Sequence, residues 1–158
     1  MGTAKKRFSI GILGTGPGSD WEILSQSYQV TGSDYSRAFI NRLKTIFPKG
    51  KFFELDAVTL KIQLKFDGIY SNKVLHHLNN TDLSLSAKRQ SEILNSNGII
   101  CHSFWKGEGS EVFKGLFLNY HLPSDIKDCF QPYFEIISIT EYKEFEPSDS
   151  FLVLAKKK

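Results

Sequence analysis

Three glycines stand close together near the start of the chain, in the sequence GILGTGPGSD that follows a β-rich run. Gly14, Gly16 and Gly18 would let the backbone approach a ligand closely, and a helix after them would point its N-terminal amides into the same space. The third glycine of the dinucleotide-binding fingerprint is missing, because Ser19 stands at its position. The cluster favours a nucleoside ligand without a pyrophosphate, although a strand-to-helix turn alone also uses glycine.

Two aspartates follow the next two β-rich runs. Asp34 ends the run in VTGSDYS, and Asp56 ends the run in FFELDAVTL. A carboxylate after the second strand can accept hydrogen bonds from both hydroxyls of a ribose. One after the third strand can accept from the amino group of an adenine. Simpler interpretations stay open, since Asp34 could cap the helix that begins near Ser36 and Asp56 could be a turn residue.

A fourth cluster, FDGIYSNKVLHHL, contains polar residues that could face a substrate. Ser71 and Asn72 directly follow the fourth β-rich run. His76 and His77 are candidate general bases, and Tyr120 is a further candidate after the fifth run. The alternative for the histidines is a packed turn, because leucines flank them on both sides, and Tyr120 could equally pack against a helix or loop.

Alternating β-rich and helical stretches must position these residues. We expect strands at residues 8–13, 51–55, 66–70 and 99–104, with a further strand ending near Gly32. We expect helices at residues 20–27, from Ser36 to Pro48, and from Asp82 to the Asn97-Gly98 pair. This alternation predicts a largely parallel sheet covered on both faces. All four motifs then fall at the carboxyl ends of strands, where open α/β sheets bind ligands.

The pattern changes after the fifth strand. A loop at residues 107–110 and a short helix from Ser124 are expected, followed by β-rich runs at residues 134–145 and 151–155. Only four residues, 146–149, separate these last two runs, which is too few for a helical crossover, so they must be antiparallel. The predicted fold is a doubly wound, Rossmann-like α/β sheet, mostly parallel, with a C-terminal antiparallel hairpin, in one domain of residues 1–158.

In this order the motifs resemble those of class I S-adenosylmethionine-dependent methyltransferases, with a small core of the type 11/12 kind. GTGPG resembles the glycine motif of that family, GSDYS its ribose motif, LDAVTL its adenine motif and YSNKVLHHL its motif after strand four. LNSNGIICHSF and FLVLAKKK resemble the fifth strand and the closing antiparallel strand. The resemblance covers nearly the whole chain.

The resemblance implies S-adenosylmethionine as the cofactor and methyl transfer to a small-molecule acceptor as the activity. Ser71 and Asn72 would line the face where the sulfonium methyl meets the acceptor. The loop beneath the methionine part of the cofactor would be formed by Gly14, Thr15, Gly16 and Gly18.

Four further residues would hold the nucleoside by the same resemblance. Asp34 would bind the ribose, and Tyr35 would pack beside the adenine. Asp56 and Ala57 would recognise the adenine edge. One departure concerns the acidic residue that most family members carry two positions before the first motif glycine, because this chain has Ile12 there.

A second departure concerns the helices that roof the active site in this family, since residues 1–7 are too few to form them. We therefore expect an open crevice, covered by a second copy of the chain, a partner protein or a large substrate. Three aromatic residues would either line an apolar acceptor pocket or form the exposed apolar surface that such a cover binds: Trp105, Phe113 and Phe117. The core is the alternative place for these aromatic residues.

Two other functions stay open at this stage. One is a binding module that keeps the methyltransferase fold without catalysis, as suggested by Ile12 and the absent roof. The other is a nicotinamide-dependent oxidoreductase, suggested by the glycine loop and Asp34 alone. The incomplete fingerprint and the terminal hairpin argue against that oxidoreductase.

Composition limits the partners and the cellular compartment that we expect for the protein. The formal net charge is +3 in 158 residues, and the three lysines at the C-terminus account for all of this excess, which argues against a broad nucleic-acid surface. The two cysteines, Cys101 and Cys129, stand far apart and form no metal-binding motif, as expected in a reducing cytoplasm. No apolar run approaches the length of a membrane span.

Overall fold

The computed structural model describes residues 7–158 of the chain. Its strands are β1 (Ser9–Ile12), β2 (Gln29–Asp34), β3 (Lys51–Glu54), β4 (Phe66–Asn72), β5 (Leu94–Trp105), β6 (Ser110–Phe113), β7 (Leu116–Asn119), β8 (Phe134–Tyr142) and β9 (Ser150–Lys157). Its helices are α1 (Ser19–Leu24), α2 (Arg37–Ile46), α3 (Asn80–Ile93) and α4 (Pro123–Phe130), with a 3₁₀ turn at Leu75–His77.

Seven strands form the main sheet, in the order β3-β2-β1-β4-β5-β9-β8. The first five in this order are parallel, and β9 pairs antiparallel with both β5 and β8. The doubly wound, mostly parallel sheet with a C-terminal antiparallel hairpin is confirmed. The carboxyl ends of β1, β2, β3 and β4 therefore lie side by side along one edge, as the motif order requires.

Local sequence determines where the helix α2 begins and ends and which of its residues are buried. The hydroxyl of Ser36 accepts a hydrogen bond from the amide of Phe39, which caps the helix at its start. Ile40 and Leu43, three residues apart, are buried on the sheet side. Pro48 follows the helix and prevents its continuation. The predicted helix is thus present, with Ser36 as its N-cap.

The end of α3 differs from the expectation. The predicted stop at Asn97 is wrong, because the helix ends at Ile93 and β5 begins at Leu94. Leu94 is fully buried and pairs with Phe66, so burial in the sheet outweighs the helical pattern. Asn97 does adopt a left-handed φ of 65°, but it does so inside β5, where the register with β4 shifts.

A small hairpin, β6–β7, was not predicted from the sequence. Its turn is Lys114-Gly115, with φ values of 50° and 78°, which is typical of a two-residue hairpin turn. The hairpin stands apart from the main sheet, and Val112, Phe113 and Leu116 are exposed on it. The Lys-Gly pair between two β-rich runs was the signal that could have found it.

The larger core lies between the sheet and helices α3 and α4. Its largest completely buried side chains are phenylalanines: Phe104, Phe130, Phe134 and Phe151. Burying a side chain of this size contributes roughly 1.5–3 kcal/mol. This core anchors β4 and β5, whose ends carry the predicted acceptor-side residues.

Most of the segment on which the missing roof was predicted, residues 1–6, lies outside the described residues. Within residues 7–158, no helix has the length and apolar character needed to cross a bilayer.

Candidate cofactor-binding site

A cleft of about 480 Å³ opens at the carboxyl ends of the parallel strands. Its volume falls in the range of small-molecule and cofactor sites. Five residues predicted to bind the cofactor line it: Gly14, Asp34, Tyr35, Asp56 and Ala57. The sequence places them after three different strands, and the sheet brings them together.

The glycine loop contributes to the cleft mainly through Gly14. Gly14 has a φ of 62°, and a Cβ there would lie 2.5 Å from Cγ2 of Val74, on the opposite wall. Only glycine therefore allows these two walls to approach. Gly18 has a different reason to be glycine, since a Cβ there would lie 2.7 Å from Cδ2 of Leu43. Gly16 and Gly18 are not among the residues that line the cleft.

Asp34 fastens the glycine loop to the start of α2. One carboxylate oxygen accepts a hydrogen bond from the amide of Gly16 at 3.0 Å, and the other accepts from the amide of Ser36 at 2.9 Å. Each carboxylate oxygen has two acceptor sites, so one on each remains for a ligand hydroxyl. Ser36 and not Asp34 is the N-cap of α2; Asp34 binds the amide of that cap, and this leaves acceptor sites for the ribose interpretation.

Thr15 supports the loop from beneath. It is buried, and its hydroxyl donates to the carbonyl of Ser33 at 2.9 Å while accepting from the amide of the same residue at 2.8 Å. The hydroxyl of Ser33 donates in turn to the carbonyl of Ile12 at 2.7 Å. Thr15 thus connects the loop to β2, and it is not among the residues lining the cleft.

The adenine-side wall is a loop, and side chains of α3 hold it in place. Asp56 accepts a hydrogen bond from the amide of Val58 at 2.8 Å, which forms a tight turn at the entrance of the loop. Arg89 reaches from α3 and donates to the carbonyls of Thr59, Leu60 and Ile62. These contacts fix a segment that has no regular secondary structure between β3 and β4.

Ser71 and Asn72 lie beside the cleft and do not line it. Ser71 is completely buried, and its hydroxyl contacts Nδ1 of His102 at 2.6 Å. Asn72 is exposed, and its side-chain oxygen accepts from the hydroxyl of Ser103 at 2.6 Å. The next residue, Lys73, does line the cleft.

The ammonium of Lys73 is enclosed by aromatic and acidic side chains. Its Nζ lies 3.2 Å from the ring centroid of Trp105 and 5.6 Å from that of Tyr142. It donates to the hydroxyl of Ser150 at 2.8 Å and forms an ion pair with Glu144. We call Lys73, Trp105, Tyr142, Glu144 and Ser150 the lysine cluster. It lies beside Asn72, where the acceptor was predicted.

The turn between β8 and β9 carries Glu144, the acidic residue of the lysine cluster. Asp149 accepts hydrogen bonds from the amides of Glu146, Glu144 and Phe145, and these bonds hold the pKa of its carboxyl well below its usual range. Phe145 stacks on Trp105 with ring centroids 5.9 Å apart. Asp149 therefore orders the turn that covers Lys73.

The two neighbouring histidines have different surroundings. His77 lines the cleft, and its Nδ1 donates to the carbonyl of Phe117 at 2.9 Å. His76 is buried, and its Nδ1 has no hydrogen-bond partner among the described residues. Burial, together with the nearby His77 and Lys73, lowers the pKa of His76 to about 3. His76 is therefore neutral near pH 7.

Tyr120 lies away from the cofactor cleft. It lines a second cavity of about 690 Å³ between the helices α3 and α4 and the base of the β6–β7 hairpin. Its hydroxyl donates to Glu111, and this bond is the main reason that the pKa of Tyr120 is raised. The structure therefore separates Tyr120 from His77 and from the cofactor-binding candidates.

Ile12, which replaces the usual acidic residue, belongs to an apolar cluster on the sheet with Ile10 and Val30. Its side chain is 2 % exposed. Among residues 7–158, no group of three or more His, Cys, Asp or Glu side chains is arranged to hold a metal ion.

Six residues of the cleft were not predicted to bind the cofactor: Ser33, Leu55, Lys73, Val74, His77 and Leu78. Each of them stands within a few residues of a predicted motif. Leu55 and Leu78 are apolar, and an apolar side chain gives no sign of ligand chemistry in the sequence. Their position next to a motif residue was the signal that could have found them.

Comparisons with known proteins agree with this geometry. Residues 12–98, more than half of the chain, match the family described as "Methyltransferase domain". No curated protein sequence matches the chain.

Solved structures share the fold at low sequence identity. One is an S-adenosylmethionine-dependent methyltransferase from Methanosarcina mazei, with a TM-score of 0.83 and 16% identity over 97% of this chain and 93% of that one. Another is a Burkholderia thailandensis 1,6-didemethyltoxoflavin-N1-methyltransferase with bound 1,6-didemethyltoxoflavin and S-adenosylhomocysteine (TM-score 0.79, 17% identity, 96% and 72% covered).

A third is the N-methyltransferase NodS from Bradyrhizobium japonicum in complex with S-adenosylhomocysteine (TM-score 0.78, 13% identity, 98% and 80% covered). The fold, the position of the cleft and the family match agree with the resemblance drawn from the sequence motifs. The chain belongs to the methyltransferase domain family, and it has the fold of class I S-adenosylmethionine-dependent methyltransferases.

Proposed function

We propose that this protein transfers the methyl group of S-adenosylmethionine to a small-molecule acceptor and binds the cofactor in the cleft at Gly14, Asp34 and Asp56. One observation carries the proposal. Side chains and backbone from the ends of three different strands meet in a cleft of about 480 Å³. Gly14, Asp34 and Asp56 each have the chemistry that is needed to bind one part of the cofactor.

The residues of the cleft fit the cofactor. Gly14 lets the backbone approach the methionine part, since a Cβ would close the space towards Val74. Asp34 has free acceptor sites for the two ribose hydroxyls, and Asp56 keeps one carboxylate oxygen beyond the one that binds Val58. Leu55 and Leu78 provide apolar surface for the adenine ring.

When bound, S-adenosylmethionine supplies an activated methyl carbon, so the chain has mainly to align the acceptor and exclude water. We place the acceptor beside Asn72 and the lysine cluster, at the end of β4 and β5. The likeness to a methyltransferase that holds a small heteroaromatic molecule supports this acceptor class. His77 lines the cleft and is the candidate base for an acceptor that must lose a proton.

Calorimetric titration with S-adenosylhomocysteine tests the cofactor site directly. We expect saturable binding to the wild type and at least tenfold weaker binding to Asp34→Ala. Glu54→Ala is the matched control, because Glu54 ends β3, is exposed, and pairs with Arg37 at 3.0 Å, away from the cleft lining. No heat with either S-adenosylhomocysteine or S-adenosylmethionine would overturn the proposal, and binding of NAD in their place would point to an oxidoreductase.

The burial of Ile12 in an apolar cluster favours a second candidate function, a binding module without turnover. Transfer of a labelled methyl group separates the two functions. A screen of small amines, phenols and carboxylic acids should yield a labelled product with the wild type and none with Asp34→Ala. Cofactor binding without any labelled product, from small molecules or from protein, would support the binding module.

We further propose that a second copy of the chain or a partner protein covers the acceptor end. The exposed apolar residues of the β6–β7 hairpin support this proposal, since Phe117 in that hairpin contacts His77 at the cleft. Light scattering should show self-association that Phe113→Ser together with Leu116→Ser abolishes. A monomer that methylates a small molecule at ordinary rates without a partner would contradict it.

A further inference from the structure

A chain of hydrogen bonds between buried side chains crosses the core beneath the cleft. The hydroxyl of Ser71 contacts Nδ1 of His102 at 2.6 Å, and Nε2 of His102 contacts the side-chain oxygen of Gln90 at 2.7 Å. The side-chain nitrogen of Gln90 donates to the hydroxyl of Ser86 at 3.0 Å. Ser86 in turn donates to the carbonyl of Ala57 at 2.6 Å. All four of the side chains are completely buried.

The hydrogen positions in this chain follow from its chemistry. Gln90 donates through its nitrogen to Ser86, so its oxygen is the acceptor that faces His102. His102 must then carry its proton on Nε2 and accept on Nδ1. Ser71 donates to that nitrogen, and the hydroxyl of Ser86 is left to donate to Ala57. Every donor therefore points from β4 towards the loop after β3.

The two ends of this series of hydrogen bonds, at Ser71 and at Ala57, reach the two sides of the proposed site. Ala57 lines the cleft, in the loop expected to hold the adenine. Ser71 precedes Asn72 and Lys73, which lie at the acceptor end. Between them, His102 belongs to β5, whereas Gln90 and Ser86 belong to α3. Four separate segments, β4, β5, α3 and the loop after β3, are thus joined by directional bonds in addition to apolar packing.

We infer that Ser71, His102, Gln90 and Ser86 are positioning residues for the cofactor, and that they set the distance between the adenine-side loop and the end of β4. This inference rests on the proposed function of the cleft. A network of buried polar groups that is completely satisfied gives a unique geometry, because breaking one bond leaves a buried partner unpaired. The four buried polar side chains then hold Ala57 in its position at the cleft.

Binding measurements on two variants test the inference. Ser86→Ala removes the hydrogen bond to Ala57. Gln90→Met removes the hydrogen bonds in the middle of the series, to His102 and to Ser86, and leaves Ser86 itself in place. We expect each variant to bind S-adenosylhomocysteine and adenosine about tenfold more weakly than the wild type. The matched control is Ser84→Ala in the same helix, where the exposed hydroxyl contacts Sγ of Cys129 and is not part of the buried series; this variant should bind like the wild type.

A spectroscopic measurement distinguishes positioning from a purely structural role. Nitrogen NMR of His102 should show the Nε2–H form in the free wild type, and both ring resonances should shift when S-adenosylhomocysteine binds. This response should disappear in Gln90→Met. Variants with lower melting temperatures but unchanged ligand affinities, or a ring insensitive to the ligand, would overturn the inference. A wild type that binds neither ligand would overturn the proposed function as well, which is a different result.

Discussion

The two sides of the sheet edge are built in different ways. On the side of β1, β2 and β3, which we call the glycine-loop side, the groups facing the cleft come from the ends of strands and the short loops that follow them. On the side of β4, β5, β9 and β8, which we call the lysine side, long side chains fill the space. There Lys73, Trp105 and Glu144 enclose a charge, and His102 joins buried neighbours.

This difference shows how one fold separates a general task from a specific one. The glycine-loop side needs only a close backbone approach and two carboxylates, and each of these comes from residues that directly follow one strand. The lysine side depends on partners far apart in sequence, such as Lys73 with Glu144 and Ser150. We therefore expect direct cofactor contacts to come from the first side, with the buried series from Ser71 to Ala57 positioning them, and stability and acceptor choice to depend on the lysine cluster.

The largest effect should come from Gly14→Val, which tests the glycine-loop side. The new side chain meets Val74 and requires a φ of 62°, which is strained for valine. Calorimetry should show S-adenosylhomocysteine affinity reduced more than a hundredfold, and the melting temperature should also fall.

Gly109→Val is the control for backbone strain. Gly109 has a φ of 79°, and among residues 7–158 nothing beyond its own chain neighbours lies within 4 Å of the position of its Cβ. This variant should lose stability but keep its affinity. Equal loss of affinity in both variants would show that the contact with Val74 is irrelevant.

The next effect concerns pH and belongs to the lysine side. Burial lowers the pKa of His102 to about 3, below the value of about 6.5 in an unfolded chain. The unfolded state therefore binds a proton between these values that the native state does not, and stability falls as the pH decreases from about 6.5 towards 3. From pH 7 to pH 5 this residue should remove about 2 kcal/mol from the free energy of unfolding.

Urea unfolding at both pH values measures this dependence. His102→Gln should be less stable at pH 7, because hydrogen bonds are lost, but its stability should change less between the two pH values. His76→Gln should remove a second share of the dependence, because the pKa of His76 is also lowered to about 3. Identical pH dependence in the wild type and His102→Gln would show that the buried ring is not the source.

Asp34→Asn should have an intermediate effect on the glycine-loop side. The substitution keeps the size of the side chain but removes the negative charge and one acceptor. Hydrogen bonds to a charged group contribute about 1.5–3 kcal/mol, so a loss of at least tenfold in S-adenosylhomocysteine affinity is expected. Competition binding with adenosine, which keeps the ribose, should show the same loss. If methionine-containing analogues without the ribose lose affinity equally, Asp34 acts through the loop instead.

The smallest effect on affinity should come from Lys73→Met, which makes the comparison between the two sides sharper. Removing the ammonium leaves Glu144 unpaired and ends the contact with the Trp105 ring, so stability should fall by about 1 kcal/mol. The affinity for S-adenosylhomocysteine should stay within threefold of the wild type.

Lys106→Met is the matched control for this change, since Lys106 pairs with Glu141 at 2.7 Å in the neighbouring part of the sheet. Tryptophan fluorescence should change in Lys73→Met and not in Lys106→Met. A large loss of cofactor affinity in Lys73→Met would remove the separation between the two sides.

Local sequence determined the frame of this protein. The alternation of apolar strands and capped helices predicted a doubly wound sheet, and the short turn before the last strand predicted its antiparallel end. The motif residues Gly14, Asp34 and Asp56 could also be found, because each stands at the end of a strand. Their meeting at one edge follows from parallel strands, which the alternation of strands and helices predicts, whereas the order of these strands is seen only in the structure.

Tertiary structure alone decided the surroundings of Lys73 and His102. A lysine after a strand is ordinary in sequence, and nothing local shows that its ammonium lies on Trp105 and beside Glu144. The buried chain from Ser71 to Ala57 is equally hidden, since it joins residues of β4, β5, α3 and a loop. Such contacts depend on the angles and spacing at which distant elements pack, and no periodicity in one segment encodes them.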